Sequence, residues 1–166
     1  REWQLSTVQI DYVMPERFGL EYTAADGTKK RPVMLHRAIV GSPERFLMIM
    51  LEHFGGALPT WISPVQIKII PITDNQLEYA KKIESELKDN NIRVEIDDKS
   101  ETMQNKIRTA TGEKIPYLII VGGREADNNT ISVRQRDGQD LGAMQLADFM
   151  SQIKDQITNK ALNLIK

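Results

Sequence analysis

The chain has 166 residues, with 22 Lys+Arg against 23 Asp+Glu, 40% hydrophobic residues and no Cys. That length fits one ordinary domain, or a small domain with part of another, and the apolar share is enough for a buried core. The lack of Cys excludes a disulfide scaffold, a thiol nucleophile and Cys-ligated zinc within this chain, and a net charge of -1 argues against coating nucleic acid by bulk electrostatics. The 2 His leave little room for an all-protein metal site. No apolar stretch approaches the roughly 20 residues that span a bilayer, and no signal-peptide pattern opens the chain. A start at Arg1 on a strand-like run leads us to expect a larger protein upstream.

Residues 3–12 read as a strand. Its period of two puts Trp3, Leu5, Thr7, Gln9 and Asp11 on one face and Gln4, Ser6, Val8, Ile10 and Tyr12 on the other. Polar Thr7, Gln9 and Asp11 together fit either a solvent face or a site lined by a sheet. Asp26-Gly27 is a turn signal between strands expected at 20–24 and 31–40. On the second strand His36 is the only polar group of its face, beside Met34, Ala38 and Val40. A lone His in that setting is more often a satisfied core residue than a ligand. Next comes a helix start: Ser42 is a good N-cap, Pro43 fits the first helical position and Glu44 complements the dipole. Phe46, Ile49, Met50 and His53 follow at helical spacing, and Gly55-Gly56 stops the helix. Arg45 sits in the first turn, where a cation opposes the dipole. That placement hints at an anionic ligand, although most first-turn arginines are only solvated.

A seam with two prolines, Leu58–Pro64, separates this part from one that alternates strand and helix. Val65–Ile72 reads as a strand. Thr73-Asp74-Asn75-Gln76 resembles a capping box, and Leu77, Ala80, Ile83 and Leu87 give an amphipathic helix ending near Asn90-Asn91. Ile92–Ile96 follows as a strand. Ser100 is the expected cap of a helix with Met103, Ile107 and Ala110 inward. Tyr117–Val121 is a buried strand, Thr130–Arg136 an alternating one, and Leu146, Phe149, Met150, Ile153 and Ile157 mark a final helix. The order β-α-β-α-β-β-α implies an α/β sandwich with a mixed sheet. No Walker A loop, GxGxxG, HExxH or GxSxG is present, and Gly122-Gly123 reads as leading directly into another strand. Arg124, Arg134 and Arg136, with Glu125, form either an RNA-reading cluster at a sheet edge or an ordinary charged edge.

Two stretches carry a specific likeness. Trp3-Gln4-Leu5-Ser6-Thr7-Val8-Gln9-Ile10-Asp11 and Arg31-Pro32-Val33-Met34-Leu35-His36-Arg37-Ala38-Ile39-Val40-Gly41-Ser42-Pro43-Glu44-Arg45-Phe46 resemble the end of the catalytic core of bacterial-type threonyl-tRNA synthetases, the latter run being similar to class II motif 3. Val65-Gln66-Ile67, Pro71-Ile72-Thr73-Asp74, Ile115-Pro116-Tyr117 and Val133-Arg134-Gln135-Arg136-Asp137-Gly138-Gln139-Asp140-Leu141-Gly142 resemble that family's anticodon-binding domain. The resemblance implies a piece of antiparallel class II core over 1–63, and over 64–166 an anticodon-binding domain of α/β class whose mixed sheet is flanked by three helices.

It also implies roles. His36 matches a ligand of an active-site Zn2+ that binds the amino and hydroxyl groups of threonine, a discrimination larger than a methyl-sized contact provides. Thr7 and Gln9 match residues lining the threonyl-adenylate site, with Gln9 toward the amino-acid substrate. Gln4, Thr7, Ser42 and Arg45 match ATP-binding positions. Arg45 is the motif 3 arginine that holds the ATP phosphates, so Arg45, Gln9 and Thr7 form the implied catalytic set. Gln4 lies on the other strand face by parity and needs a bulge to join them. Glu125 and Arg134 match readers of anticodon bases, and Lys114 stands where some relatives carry Arg. The implied partners are threonine tRNA, threonine and ATP with Mg2+, in a cytoplasmic homodimer without a membrane. The family's zinc Cys and second active-site His, its motifs 1 and 2 and its editing domain are not among these residues. We therefore expect this chain alone to be inactive in threonine activation. The rival expectations are a non-catalytic RNA-binding module and an accessory subunit that scaffolds a partner.

Overall fold

The structure, a computed structural model, describes residues 2–165 and divides into two compact units between His53 and Phe54. The first unit is built on a two-stranded antiparallel ribbon of β1 (Thr7–Asp11) and β4 (Met34–Ala38). Its register sets Thr7 against Ala38, Gln9 against His36 and Asp11 against Met34. Those six residues therefore share one face, as the period of two requires. β1 starts later than the expected strand 3–12. It ends at Asp11 because the Asp11 carboxylate accepts hydrogen bonds from the Val13 and Met14 amides at 2.8 and 2.9 Å. This turns the chain into a helical turn the sequence reading lacked, α1 (Met14–Arg17), with Pro15 near its start. The Asp26-Gly27 turn joins β2 (Tyr22–Thr23) to β3 (Lys29–Lys30), which precedes the expected strand 31–40, and that strand is shortened to β4.

Helix α2 (Pro43–Phe54) begins where the spacing placed it. The Ser42 hydroxyl accepts from the Arg45 amide at 3.2 Å, and Gly55 and Gly56 end the helix in left-handed conformations. Among the described residues of this unit only Pro15 is buried. Apolar side chains such as Leu35 (64% exposed) and Ile39 (72%) have no core to enter.

The second unit holds the core. Its five-stranded sheet has the order β6-β5-β7-β8-β9, made of β5 (Ile67–Pro71), β6 (Val94–Ile96), β7 (Tyr117–Val121), β8 (Ile131–Gln135) and β9 (Asp140–Met144). β5, β6 and β7 are parallel, and β7-β8-β9 run antiparallel. Ile67, Ile69, Tyr117, Ile119, Val121, Ile131 and Val133 fill one face, beneath α3 (Leu77–Asp89) and α6 (Leu146–Thr158), which contribute Ala80, Ile83, Leu87, Phe149 and Ile153. Ile70 and Leu118 fill the other face beneath α4 (Met103–Gly112), with Ala110 and Ile115. The expected mixed sheet with three flanking helices is therefore present.

Three local expectations change. Thr102, not Ser100, caps α4, its hydroxyl accepting from the Asn105 amide at 3.3 Å. A short helix, α5 (Gly123–Asn128), separates Gly122 from β8, because Glu125 turns back to accept the Gly122 amide at 2.8 Å. Gly142, in a left-handed conformation, lets β9 pair with β8 around a bulge at Val133/Arg134, a strand the sequence reading missed. The proline-bearing seam is packed. A 3-10 turn at Thr60–Ile62 is clasped by the Arg93 guanidinium, which donates to the carbonyls of Trp61 (3.0 Å) and Ser63 (2.9 Å). The Gln66 amide, donating to the Thr60 carbonyl at 2.9 Å, completes the clasp. Leu58 and Thr60 are buried as a result.

One polar network lies inside the core. The buried Tyr117 hydroxyl donates to Gln156 and accepts from the Ile165 amide, both at 2.8 Å. Its ring meets Phe149 edge-on at 5.5 Å. Burial raises the Tyr117 pKa.

Candidate functional site

In the first unit the structure gathers most of the residues singled out above. Gly41 has φ +67°, and a Cβ there would lie 2.8 Å from the Leu5 carbonyl oxygen. Only glycine therefore lets the loop before α2 approach residues 4–5 this closely. The consequence is a meeting of Gln4, Ser42 and Arg45: the Arg45 guanidinium donates to the Gln4 carbonyl at 3.3 Å, while Ser42 caps the same helical turn. Gln4 precedes β1, so strand parity does not constrain it and no bulge is needed. Arg45 and Ser42 are exposed at the α2 N-terminus, where amide donors and a cation converge. That is an arrangement suited to an anion.

The β1/β4 face continues the site. Thr7 and Gln9 lie on it, and His36 stands directly opposite Gln9. His36 Nε2 is 3.0 Å from Asp11 Oδ2, so the histidine is an exposed residue with a carboxylate partner rather than a core residue. Hydrogen bonds from the Met14 amide, then from His36, hold the Asp11 carboxyl below the usual carboxylate range. Sequence reading placed Asp11 on the polar face of Thr7 and Gln9 but gave it no role of its own.

The second unit separates the residues that the sequence grouped. β7 and β8 do pair antiparallel, with Leu118 opposite Arg134, but Glu125 is anchored beyond the far end of β7 by its bond to Gly122. Four residue rises, about 13 Å along the strand, lie between Leu118 and Gly122. Arg134 shares the sheet face of Leu118, yet it and Ser132 belong to neither apolar cluster. Its side chain is 38% exposed, with one long ion pair at 3.5 Å to Asp140, and its buried Nε has no partner. Arg136 is committed elsewhere, donating to the carbonyls of Leu58 at 2.6 Å and Lys114 at 3.4 Å. Lys114 adopts a left-handed conformation after α4, and its ammonium donates to the Gly55 carbonyl. Arg124, Arg134 and Arg136 thus do not form one cluster. Nearby, Lys68 bridges Glu95 (3.0 Å) and Glu113 (3.1 Å), and although burial opposes it, the two carboxylates raise the Lys68 pKa.

A mixed sheet covered by α3 and α6 on one side and α4 on the other defines the class of protein. Residues 66–156 match the family model described as the anticodon binding domain, and the chain belongs to that family. Residues 1–54 match the tRNA synthetase class II core domain of the G, H, P, S and T enzymes.

The particular likeness is to threonine–tRNA ligases. The chain is 52% identical over 160 residues to that of Clostridium botulinum (strain Hall) and 53% identical over 160 residues to that of Clostridium novyi. Each match covers 96% of this chain and 25% of the relative, so the chain spans a quarter of the length of these curated relatives. The solved RNA binding domain of threonyl-tRNA synthetase from Cryptosporidium parvum superposes with a TM-score of 0.85 at 34% identity, covering 93% of this chain and 40% of that one. The threonyl-tRNA synthetase resemblance read from the sequence is borne out. Among the described residues no helix is long and apolar enough to cross a membrane.

The implied zinc is tested by the donors present. His36 has one ring nitrogen on a carboxylate, the usual setting of a ligating histidine. Among the described residues, however, no group of three His, Cys, Asp or Glu forms. His36 fits one ligand of a zinc site, and this chain does not complete that site.

Proposed function

We propose that this chain is the segment of a threonine–tRNA ligase that supplies part of the ATP and threonine site, from residues 1–63, and the anticodon reader, from 64–166. The observation that carries the first half is the meeting of Gln4, Ser42 and Arg45 at the α2 N-terminus beside the Thr7–Gln9–His36 face. In the whole enzyme the threonine carboxylate attacks the ATP α-phosphorus and pyrophosphate leaves. The ribose hydroxyl of the tRNA's terminal adenosine then attacks the adenylate carbonyl and AMP leaves. Arg45, together with the Mg2+ that accompanies ATP, offsets the negative charge of the phosphates. Ser42 and Gln4 line the nucleotide, and Thr7 and Gln9 line the aminoacyl part. His36 would supply one nitrogen to a zinc that sorts threonine from valine by its hydroxyl. In the second half Glu125, in the first turn of α5, and Arg134, on β8, contact splayed anticodon bases, with Lys114 as a further contact.

A cytoplasmic homodimer is the setting this reading favours. A non-catalytic RNA-binding module would have no use for the assembled Gln4, Ser42 and Arg45. Titrating the 15N-labelled chain with a threonine anticodon stem-loop should shift resonances centred on Glu125 and Arg134. Shifts confined to other surfaces would overturn the anticodon assignment. With only one zinc ligand and Arg45 as its motif arginine, residues 1–166 should show no ATP–pyrophosphate exchange with threonine. Exchange above background would refute that expectation.

A further inference from the structure

Asp11 is held more firmly than an ordinary residue at a strand end. Its Oδ1 accepts the amides of Val13 and Met14 at 2.8 and 2.9 Å, which leaves Oδ2 aimed at His36 Nε2, 3.0 Å away. Its side chain is 21% exposed, against 45% for His36. An ionised carboxylate can only accept, so the proton of this contact belongs to Nε2 and the imidazole must be the Nε2–H tautomer. No described residue partners Nδ1, and the ring stands opposite Gln9 on the face that also carries Thr7.

We propose that Asp11 is a positioning residue. It fixes the tautomer and angle of His36, so that the Nδ1 electron pair is the atom offered to the site. This deepens the reading of His36 as a zinc ligand and rests on it for its purpose, while the positioning itself rests on the geometry above. A carboxylate behind a ligating histidine fixes its orientation and raises its basicity. The turn explains why this one is precise: two backbone donors set the carboxylate before the histidine meets it.

The test reads the tautomer directly. Long-range 1H–15N spectra of the full chain, at a pH about two units above the ordinary imidazole value near 6.5, should show His36 mainly as Nε2–H. In Asp11→Asn the amide oxygen can keep the Val13 and Met14 contacts while its NH2 donates to His36 Nε2. The ring then inverts to mainly Nδ1–H and the electron pair is lost from the site. The same change behind a catalytic histidine puts the imidazole in the wrong tautomer. A residue that only capped the turn would leave the tautomer unmoved.

Cross-strand contacts between Gln9 and His36 report that the ribbon is formed. An unchanged tautomer in Asp11→Asn with the ribbon formed overturns the proposal. So does a ring that is mainly Nδ1–H in the unsubstituted chain, a measurement that needs no variant. Excess Zn2+ should perturb Nδ1 rather than Nε2. If the tautomer inverts as expected while Zn2+ moves neither nitrogen, Asp11 keeps its role and the zinc reading of His36 falls.

Discussion

Replacing Gly122 by alanine should dislodge Glu125, the carboxylate proposed to read an anticodon base. A Cβ at this position would lie 2.8 Å from Ile72 Cδ1 and 2.9 Å from Glu125 Oε2. Gly122 has φ -113°, so alanine meets no backbone strain, and the whole effect comes from these two contacts. Ile72 is exposed over nearly half its surface and can swing away at little cost. Glu125 cannot, because moving Oε2 breaks its 2.8 Å bond to the Gly122 amide and removes the reciprocal contact that starts α5. Losing such a cap contact costs about 1–2 kcal/mol. The stiffer unfolded chain of an alanine variant returns about 0.4–1 kcal/mol. The net destabilisation is about 1 kcal/mol, a fall in Tm of about 3 °C for a protein of this size. Thermal unfolding by circular dichroism measures it, and stem-loop titration on the same sample should show weakened binding. Glu125→Gln, which keeps an acceptor for the amide but loses the charge, should retain Tm and still bind more weakly. A Gly122→Ala protein that melts and binds like the parent would refute this account of how Glu125 is placed.

Arg134→Ala should weaken binding to threonine anticodons, whose last two letters are G and U, by about 1–3 kcal/mol if a base edge is read. Filter binding at fixed salt checks it, and an unchanged Kd would leave Arg134 a surface charge. Tyr117→Phe strips a buried hydroxyl from Gln156 and the Ile165 amide, so denaturant unfolding should show a loss of roughly 2–3 kcal/mol. Tyr117 and Lys68 both have raised pKa values, so their contribution to stability is full below about pH 10 and is lost as pH climbs through the raised values. Tyr117→Phe should flatten that alkaline fall, and a fall of unchanged steepness would remove the phenol as a cause. Residues 54–166, which hold both apolar clusters, should unfold cooperatively on their own, whereas 1–53, with only Pro15 buried, should not. Calorimetry of the two fragments decides this.

The sequence disclosed the elements whose cause is local. Ser42-Pro43-Glu44 announced α2 because capping and dipole chemistry act within one turn. The spacing of Ala80, Ile83 and Leu87, and of Phe149 and Ile153, disclosed which helix faces enter the core. What it hid depends on contacts between distant residues. β9 exists because Gly142 and the bulge at Val133/Arg134 let a hairpin continue past Asp137-Gly138, in a stretch without apolar alternation. α5 exists because Glu125 reaches back to Gly122. The proline-bearing seam at 58–64 is held by Arg93, 30 residues from Ser63, a contact that the local sequence does not disclose.

The candidate site shows the same division. Strand parity alone put Thr7 and Gln9 on one face, but the Gln9–His36 pairing and the Arg45–Gln4 contact needed the register and the Gly41 approach. The arginines failed as a group for an equally physical reason. Antiparallel pairing sends Arg134 and Arg136 toward the start of β7 and Arg124 beyond its end, a direction that spacing cannot reveal.

The most direct test of the anticodon-reading claim is the binding of the chain to a threonine anticodon stem-loop beside one whose central G is changed to C, at fixed salt. The account predicts a preference for the unchanged loop of about 1–3 kcal/mol, a roughly five- to 150-fold difference in Kd. Equal affinity for the two loops would contradict it.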